Sequence, residues 1–218
     1  MRFAELVERA RGLAVGGRRA VLGITGAPGA GKTTLAERLV AALAPDPPPG
    51  LAPGVWVVHV PMDGFHLADV ELDRLGARDR KGAPDTFDAL GYANLLRRLH
   101  EDAEDMIYAP GFERVIEQPI AGTIGMPRET RLIVTEGNYL LLRDDPRWSH
   151  VRPWLTEVWF VDLEPAERLR RLVRRHIQFG KREDAAVAWA NGTDERNARL
   201  IAATRGRADL LVPAETVE

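Results

Sequence analysis

Residues Gly23 to Thr34 read GITGAPGAGKTT, and Gly26, Gly31, Lys32 and Thr33 fill the fixed positions of the pattern G-x-x-x-x-G-K-[ST]. Glycines at this spacing let the backbone wrap a phosphate closely, with successive N–H groups pointing inward and a helix N-terminus behind them. The loop Gly26, Ala27, Pro28, Gly29, Ala30 and Gly31, continuing into Lys32, Thr33 and Thr34, is therefore expected to bind a nucleoside triphosphate. Lys32 would reach the β- and γ-phosphates, and the Thr33 hydroxyl would ligate Mg²⁺. Two acids stand out beside this loop. Asp63, in Pro61-Met62-Asp63-Gly64, is placed to act as a general base toward an attacking hydroxyl, although Asp-Gly is also a common turn. Glu136, in Glu136-Gly137-Asn138, could hold Mg²⁺ directly or through water, or stand as a solvated carboxylate at a strand end.

Between Arg168 and Arg182 there are seven basic residues and no acidic one. A solvated amphipathic helix accounts for most of them, with Leu169, Leu172 and Val173 as its apolar stripe. Phosphoryl transfer spreads charge over the equatorial oxygens, so one or two of Arg171, Arg174 and Arg175 are expected to serve it. The following QFGKRED segment has the polarity of a mobile lid. Of five histidines none shows ligand spacing; His59 reads as a satisfied core residue, and His66 as a substrate contact or a plain turn residue. The five tryptophans read as core.

The elements that must position these residues are legible around them. Ala20 to Thr25 is a short apolar strand before the loop, and Leu35, Leu39 and Leu43 recur at helical spacing after it. Phe3, Leu6, Val7 and Ala10 share one face of a leading helix. Val55 to Val60 reads as a second strand, too continuous for a sheet edge; Arg131 to Thr135 is a third, Glu157 to Leu163 a fourth, and Asp209 to Val212 a short fifth. Asp85 offers an N-cap for a helix bearing Tyr92, Leu95, Leu96 and Leu99, and Glu101 to Asp105 closes it as a solvated acidic end. Pro165 suits a helical first turn, a last helix spans about Thr193 to Thr204, and Ile107 to Gly125 shows no clear period. Strands alternating with helices predict an α/β fold with a doubly wound parallel sheet, whose ligands bind outside the carboxyl ends of the strands. Lys32, Asp63 and Glu136 should then meet in one crevice.

Bulk properties narrow the classes further. At 218 residues the chain suits one domain, residues 1–218. A net charge of −2 gives no general pull toward nucleic acid or an anionic membrane, and with no cysteine there is neither a thiol nucleophile nor a disulfide framework. No stretch has signal-peptide character or bilayer length, so a cytoplasmic protein is expected. An exposed apolar helix face would suggest a homodimer.

Four segments together resemble the uridine kinase, phosphoribulokinase and bacterial pantothenate kinase family of P-loop kinases: GITGAPGAGKTT, VVHVPMDGFHL, RKGAPDTFD, and LIVTEGNYLLL with the downstream RLRRLVRRH. The resemblance implies a P-loop NTPase three-layer sandwich of strand order 2-3-1-4-5 and an arginine-rich helical lid at about 168–190. It also implies ATP as donor, Mg²⁺, a small-molecule hydroxyl as acceptor, Asp63 as base and a lid arginine near Arg171 or Arg174. Substrate contacts are carried over to Arg114 and Asn138. RKGAPDTFD is similar to pantothenate kinases and to a group of nucleoside or fructose-transport-associated kinases, and the NGTDERNARLIAATRGRADLLV tail resembles the second group more. Two departures are clear: Arg175-His176 stands where uridine kinases carry an acid, and Phe112-Glu113 where relatives carry a tyrosine-aspartate pair. The leading expectation is a kinase for a sugar, nucleoside or pantothenate. The alternative is a nucleotide-dependent switch acting on a partner, against which the chain lacks the N-K-x-D guanine signature.

Overall fold

The computed structural model describes residues 1–180 and 182–216, so Lys181 of the arginine-rich segment lies outside the described residues. Helix α1 (Phe3–Leu13) leads into strand β1 (Ala20–Thr25), the phosphate loop and helix α2 (Lys32–Leu43). Then come β2 (Val57–Pro61), α3 (Asp69–Arg74), α4 (Ala89–Glu101), a hairpin of β3 (Met106–Glu113) and β4 (Gln118–Pro127), and β5 (Leu132–Glu136). The chain continues through β6 (Glu157–Asp162), α5 (Pro165–Gln178), α6 (Glu183–Trp189), α7 (Glu195–Ala202) and β7 (Leu210–Pro213).

Five strands form a parallel sheet in the order β2-β5-β1-β6-β7. Counted without the hairpin, this is the 2-3-1-4-5 order. The inner strands β1 and β5 are buried throughout, and β6 up to Asp162, because their side chains leave on alternate faces into two covered layers. From β1, Ala20, Leu22 and Ile24 join one buried cluster with Leu6 and Ala10 of α1 and Leu35, Leu39 and Leu43 of α2. Val21 points the other way, into a cluster with Tyr92, Leu95, Leu96 and Leu99 of α4. Each such side chain stabilises the layering by about 1.5–3 kcal/mol.

Several expectations change. Strand β2 does lie at the sheet edge; its apolar run is explained by cover on both faces, Val57 in the α1–α2 cluster and Val60 in the α4 cluster. The cap of α4 is Asp88, whose side chain accepts from Gly91 N at 2.8 Å, whereas Asp85 is held by Arg80. The acidic end of α4 is not simply solvated. Asp102 pairs with Arg131 at 2.5 Å and with the fully buried Arg19 side chain at 3.4 Å, and Glu104 pairs with Arg98. The segment without a period is the β3–β4 hairpin, antiparallel and irregular between Ala109 and Gly111. Pro165 opens α5 as expected, with Glu164 capping it, while α7 begins at Glu195 after a π-helical turn, Ala190–Asp194.

Candidate active site

Three neighbouring strands end side by side. Glu136, at the end of β5, lies in register with Ile24 of β1 on one side and Pro61 of β2 on the other. The phosphate loop leaves β1 there, and Asp63 follows β2 in a short helical turn, Met62–Phe65. The loop needs glycine at Gly29, where φ is +82° and a Cβ would stand 2.8 Å from Leu172 Cγ of α5. The loop therefore rests directly on the arginine-rich helix.

Lys32 is buried, and its Nζ donates to the Ala27 carbonyl at 3.2 Å. Thr33 Oγ1 donates to Glu136 Oε1 at 3.1 Å. Burial pulls the Lys32 ammonium below the usual lysine range, opposed by the charges of Glu136 and Asp63. Burial and the nearby Asp63 charge push the Glu136 carboxyl up, opposed by Lys32. A hydroxyl and a carboxylate in contact are hard oxygen donors, and no group of three or more His, Asp or Glu among the described residues could hold a metal alone. This donor set fits Mg²⁺, which keeps its waters and takes one or two protein oxygens besides those of a bound phosphate.

Asp63 is partly exposed, and Arg114 approaches it to 3.8 Å. Gly64 follows because nothing larger fits: a Cβ there would stand 2.2 Å from the Pro110 carbonyl oxygen of β3. The hairpin is thus seated against the turn that carries the carboxylate. His66 Nδ1 lies 2.9 Å from the Asp63 carbonyl oxygen, which can only accept, so Nδ1 carries the proton and Nε2 keeps a lone pair. Burial holds this imidazole below its ordinary pKa, opposed by Asp63, and its ring sits between Phe87 and Phe112 at centroid distances of 4.0 and 5.0 Å. His59 differs from the satisfied core residue expected. Its Nε2 is buried without a hydrogen-bond partner, 3.9 Å from Glu136 Oε1, and burial lowers its pKa to about 4.

Apart from His59, these groups meet at one cleft of about 390 Å³. Pro28, Gly29, Lys32, Thr33, Asp63 and Glu136 face it, as do His66, Arg114 and Asn138. Thr34 is exposed on α2 outside the cleft lining. Of the arginine-rich helix, Arg175 lines the cleft. Arg171 and Arg174 do not: Arg171 Nε donates to Glu167 at 2.8 Å, and Arg174 borders a separate groove on another flank of α5. The helical period alone distributes these arginines around α5 without saying which flank meets the cleft.

The opposite walls hold residues that sequence reasoning did not single out. Lys81 donates to Asp69 at 2.7 Å and to the Glu117 carbonyl at 2.5 Å, and Arg78 pairs with Asp69 at 2.8 Å. His176 meets Asp194 at 2.7 Å, and Tyr139 OH and Asn197 Nδ2 both donate to the Gly82 carbonyl. Trp189 also lines the cleft, unlike the fully buried Trp56, Trp148 and Trp159. The segments RKGAPDTFD and NGTDERN marked these walls only through resemblance.

A family model described as "Methylmalonyl Co-A mutase-associated GTPase MeaB" matches residues 3–47, which hold α1, β1, the phosphate loop and α2. Over most of its length the chain is similar to a Schizosaccharomyces pombe protein named "Putative uridine kinase", 32% identical over 206 residues, covering 91% of this chain and 85% of the relative. It is similar to "ATP-dependent kinase-like protein notR'" of Aspergillus versicolor, 35% identical over 161 residues, covering 70% of this chain and 93% of the relative. Among solved structures it is similar to a "putative fructose transport system kinase" from Silicibacter sp., with 38% identity and a TM-score of 0.84 over 98% of this chain and 100% of the other.

Proposed function

This chain belongs to the uridine kinase-like family of P-loop kinases, and on that premise we propose that it transfers the γ-phosphoryl group of ATP to a hydroxyl of a small metabolite. The observation that carries the reading is the convergence of Lys32, Thr33, Asp63 and Glu136 in one cleft at the ends of β1, β2 and β5. In it Asp63 accepts the proton of the attacking hydroxyl. Lys32 neutralises the transferring group from one side, and Arg175, rather than Arg171 or Arg174, does so from α5. Thr33 and Glu136 hold Mg²⁺, which when bound shields the charge on the phosphate oxygens. The whole of 1–218 acts as one kinase domain with α5 and α6 as the lid, in the cytoplasm, with no nucleic-acid or membrane partner.

The acceptor is an uncharged, polyhydroxylated molecule in this reading. Arg78 pairs with Asp69 and Asp73, Lys81 with Asp69, and Arg114 stands beside Asp63, so among the described residues each of these cations of the far wall already faces a carboxylate. The lone pair on His66 Nε2 suits a second hydroxyl of the substrate. These features favour a sugar such as fructose first, a nucleoside second and the carboxylate-bearing pantothenate last. ADP release from Mg-ATP, measured with each of these acceptors against an acceptor-free baseline, tests it: a rise with one names the class, and a rise with none counts against an acceptor site.

The match of residues 3–47 to a GTPase model favours a second reading, a nucleotide-dependent switch acting on a partner. Those residues supply only the triphosphate grip that ATP and GTP share. Preference for GTP together with partner-dependent nucleotide exchange would support it over the kinase.

A further inference from the structure

Outside the cleft, an apolar groove of about 460 Å³ runs between α5 and α6. Leu169, Val173 and Ile177 recur at four-residue intervals along its floor, Val187 of α6 faces them, and Arg170 and Arg174 stand on its rim. At about 100° per residue the centre of this stripe is turned by about 130° from Leu172 and Arg175, which face the phosphate loop and the cleft. Arg174 makes no ion pair among the described residues. An apolar trough with a spare arginine on its lip fits a short apolar segment flanked by acid.

The chain carries such a segment. The hairpin tip reads Glu113-Arg114-Val115-Ile116-Glu117; Val115 is 90% exposed and Ile116 55%. Neither Glu113 nor Glu117 forms an ion pair among the described residues. Phe112, Arg114 and Glu117 line the cleft, and no residue of the hairpin lines the groove of its own chain. The groove it fits is that of another molecule.

We propose that two copies of this chain associate by seating the hairpin tip of each, through Val115 and Ile116, in the α5–α6 groove of the other, with the tip's glutamates against Arg174. Each copy offers one tip and one groove, so reciprocal insertion closes a two-fold dimer and leaves no free end. It also makes the partner the support of the hairpin that presents Arg114 beside Asp63.

The absence of cysteine permits a direct test. Val115→Cys chains and Val187→Cys chains are prepared separately, mixed and mildly oxidised. A disulfide-linked species of twice the chain mass is expected from the mixture and from neither preparation alone. Sedimentation of the unmodified chain should show a dimer, and Ile116→Asp or Val173→Asp should weaken it by at least about tenfold. Glu113→Arg and Arg174→Glu should each weaken it and together restore it, a rescue that misfolding would not produce. A monomer at every accessible concentration, a dimer indifferent to these substitutions, or cross-linking by Val115→Cys alone would overturn the proposal. None of these readouts depends on phosphoryl transfer.

Discussion

Gly64 offers the sharpest perturbation, because its φ lies outside the left-handed region and alanine could adopt its backbone without strain. The cost of Gly64→Ala is therefore steric alone. The added Cβ would stand 2.2 Å from Pro110 O and 2.7 Å from Pro110 C, both backbone atoms of β3, with no flexible side chain to yield. Relief to an ordinary contact beyond 3.4 Å needs a separation of the Asp63 turn from the hairpin of about 1 Å. Overpacking of this kind costs about 1–3 kcal/mol of stability. A base displaced by about 1 Å loses about 100-fold in turnover. Urea unfolding gives the first quantity, and acceptor-dependent ADP release gives the second. Gly12→Ala serves as control, since Gly12 lies within α1 and a Cβ there meets nothing within 4 Å; it should be neutral or stabilising. Nucleotide affinity should be unchanged in both variants. If Gly64→Ala kept full stability and turnover, the seating of the hairpin against the Asp63 turn would be wrong.

Asp63→Asn should lower turnover by about 10²–10⁴-fold while nucleotide affinity, read by calorimetry, stays within about twofold; equal loss of both would contradict its role as base. Arg175→Ala should lower kcat by about 10³-fold and Arg174→Ala by far less, and a reversed ranking would return the transferring-phosphate contact to the outer flank of α5. Asp102→Ala leaves the Arg19 side chain buried without its carboxylate and should cost about 3 kcal/mol in urea unfolding. A loss below about 1 kcal/mol, the value of an exposed pair, would mean that water reaches Arg19. For His66, folding depresses the imidazole pKa, so above about pH 6.5 it is neutral in both states and contributes no pH dependence. Below that value the unfolded chain takes up a proton that the folded one refuses, so stability falls with pH. His66→Gln should lessen the fall of the urea midpoint between about pH 6.5 and 5, with buried His59 keeping its own share, and an unchanged slope would refute the linkage.

The sheet was readable because buried parallel strands appear as continuous apolar runs: AVLGIT, VVHV, LIVT and VWFVD all became strands. The edge position of β2 was not readable, since cover by both layers imprints the same run as a central strand. The hairpin escaped because Pro110, Gly111, Pro119 and Gly122 interrupt the alternation that would announce it. Asp85 and Asp88 are equally good caps as letters, and only the ion pair with Arg80 removes the first. Lys32, Thr33, Asp63 and Glu136 were found together by one rule, that polar residues ending adjacent parallel strands share a crevice. Arg175 could be separated from its neighbours only once the packing of Gly29 on Leu172 had fixed the rotation of α5.

The placement of β5 between β1 and β2 bears on how chains of this design diversify. The loop expected to grip the triphosphate spans residues 26–34, whereas the cleft wall running from Asp63 to Glu117 comes from one later, uninterrupted stretch of chain. A recombination event joined within β2 and β5 would transplant that stretch, Asp63 included, and leave residues 26–34 and the side of the cleft formed by α5 to α7 untouched. One half of the cleft can then be inherited as a cassette, with fewer scattered substitutions than a single interwoven pocket would demand.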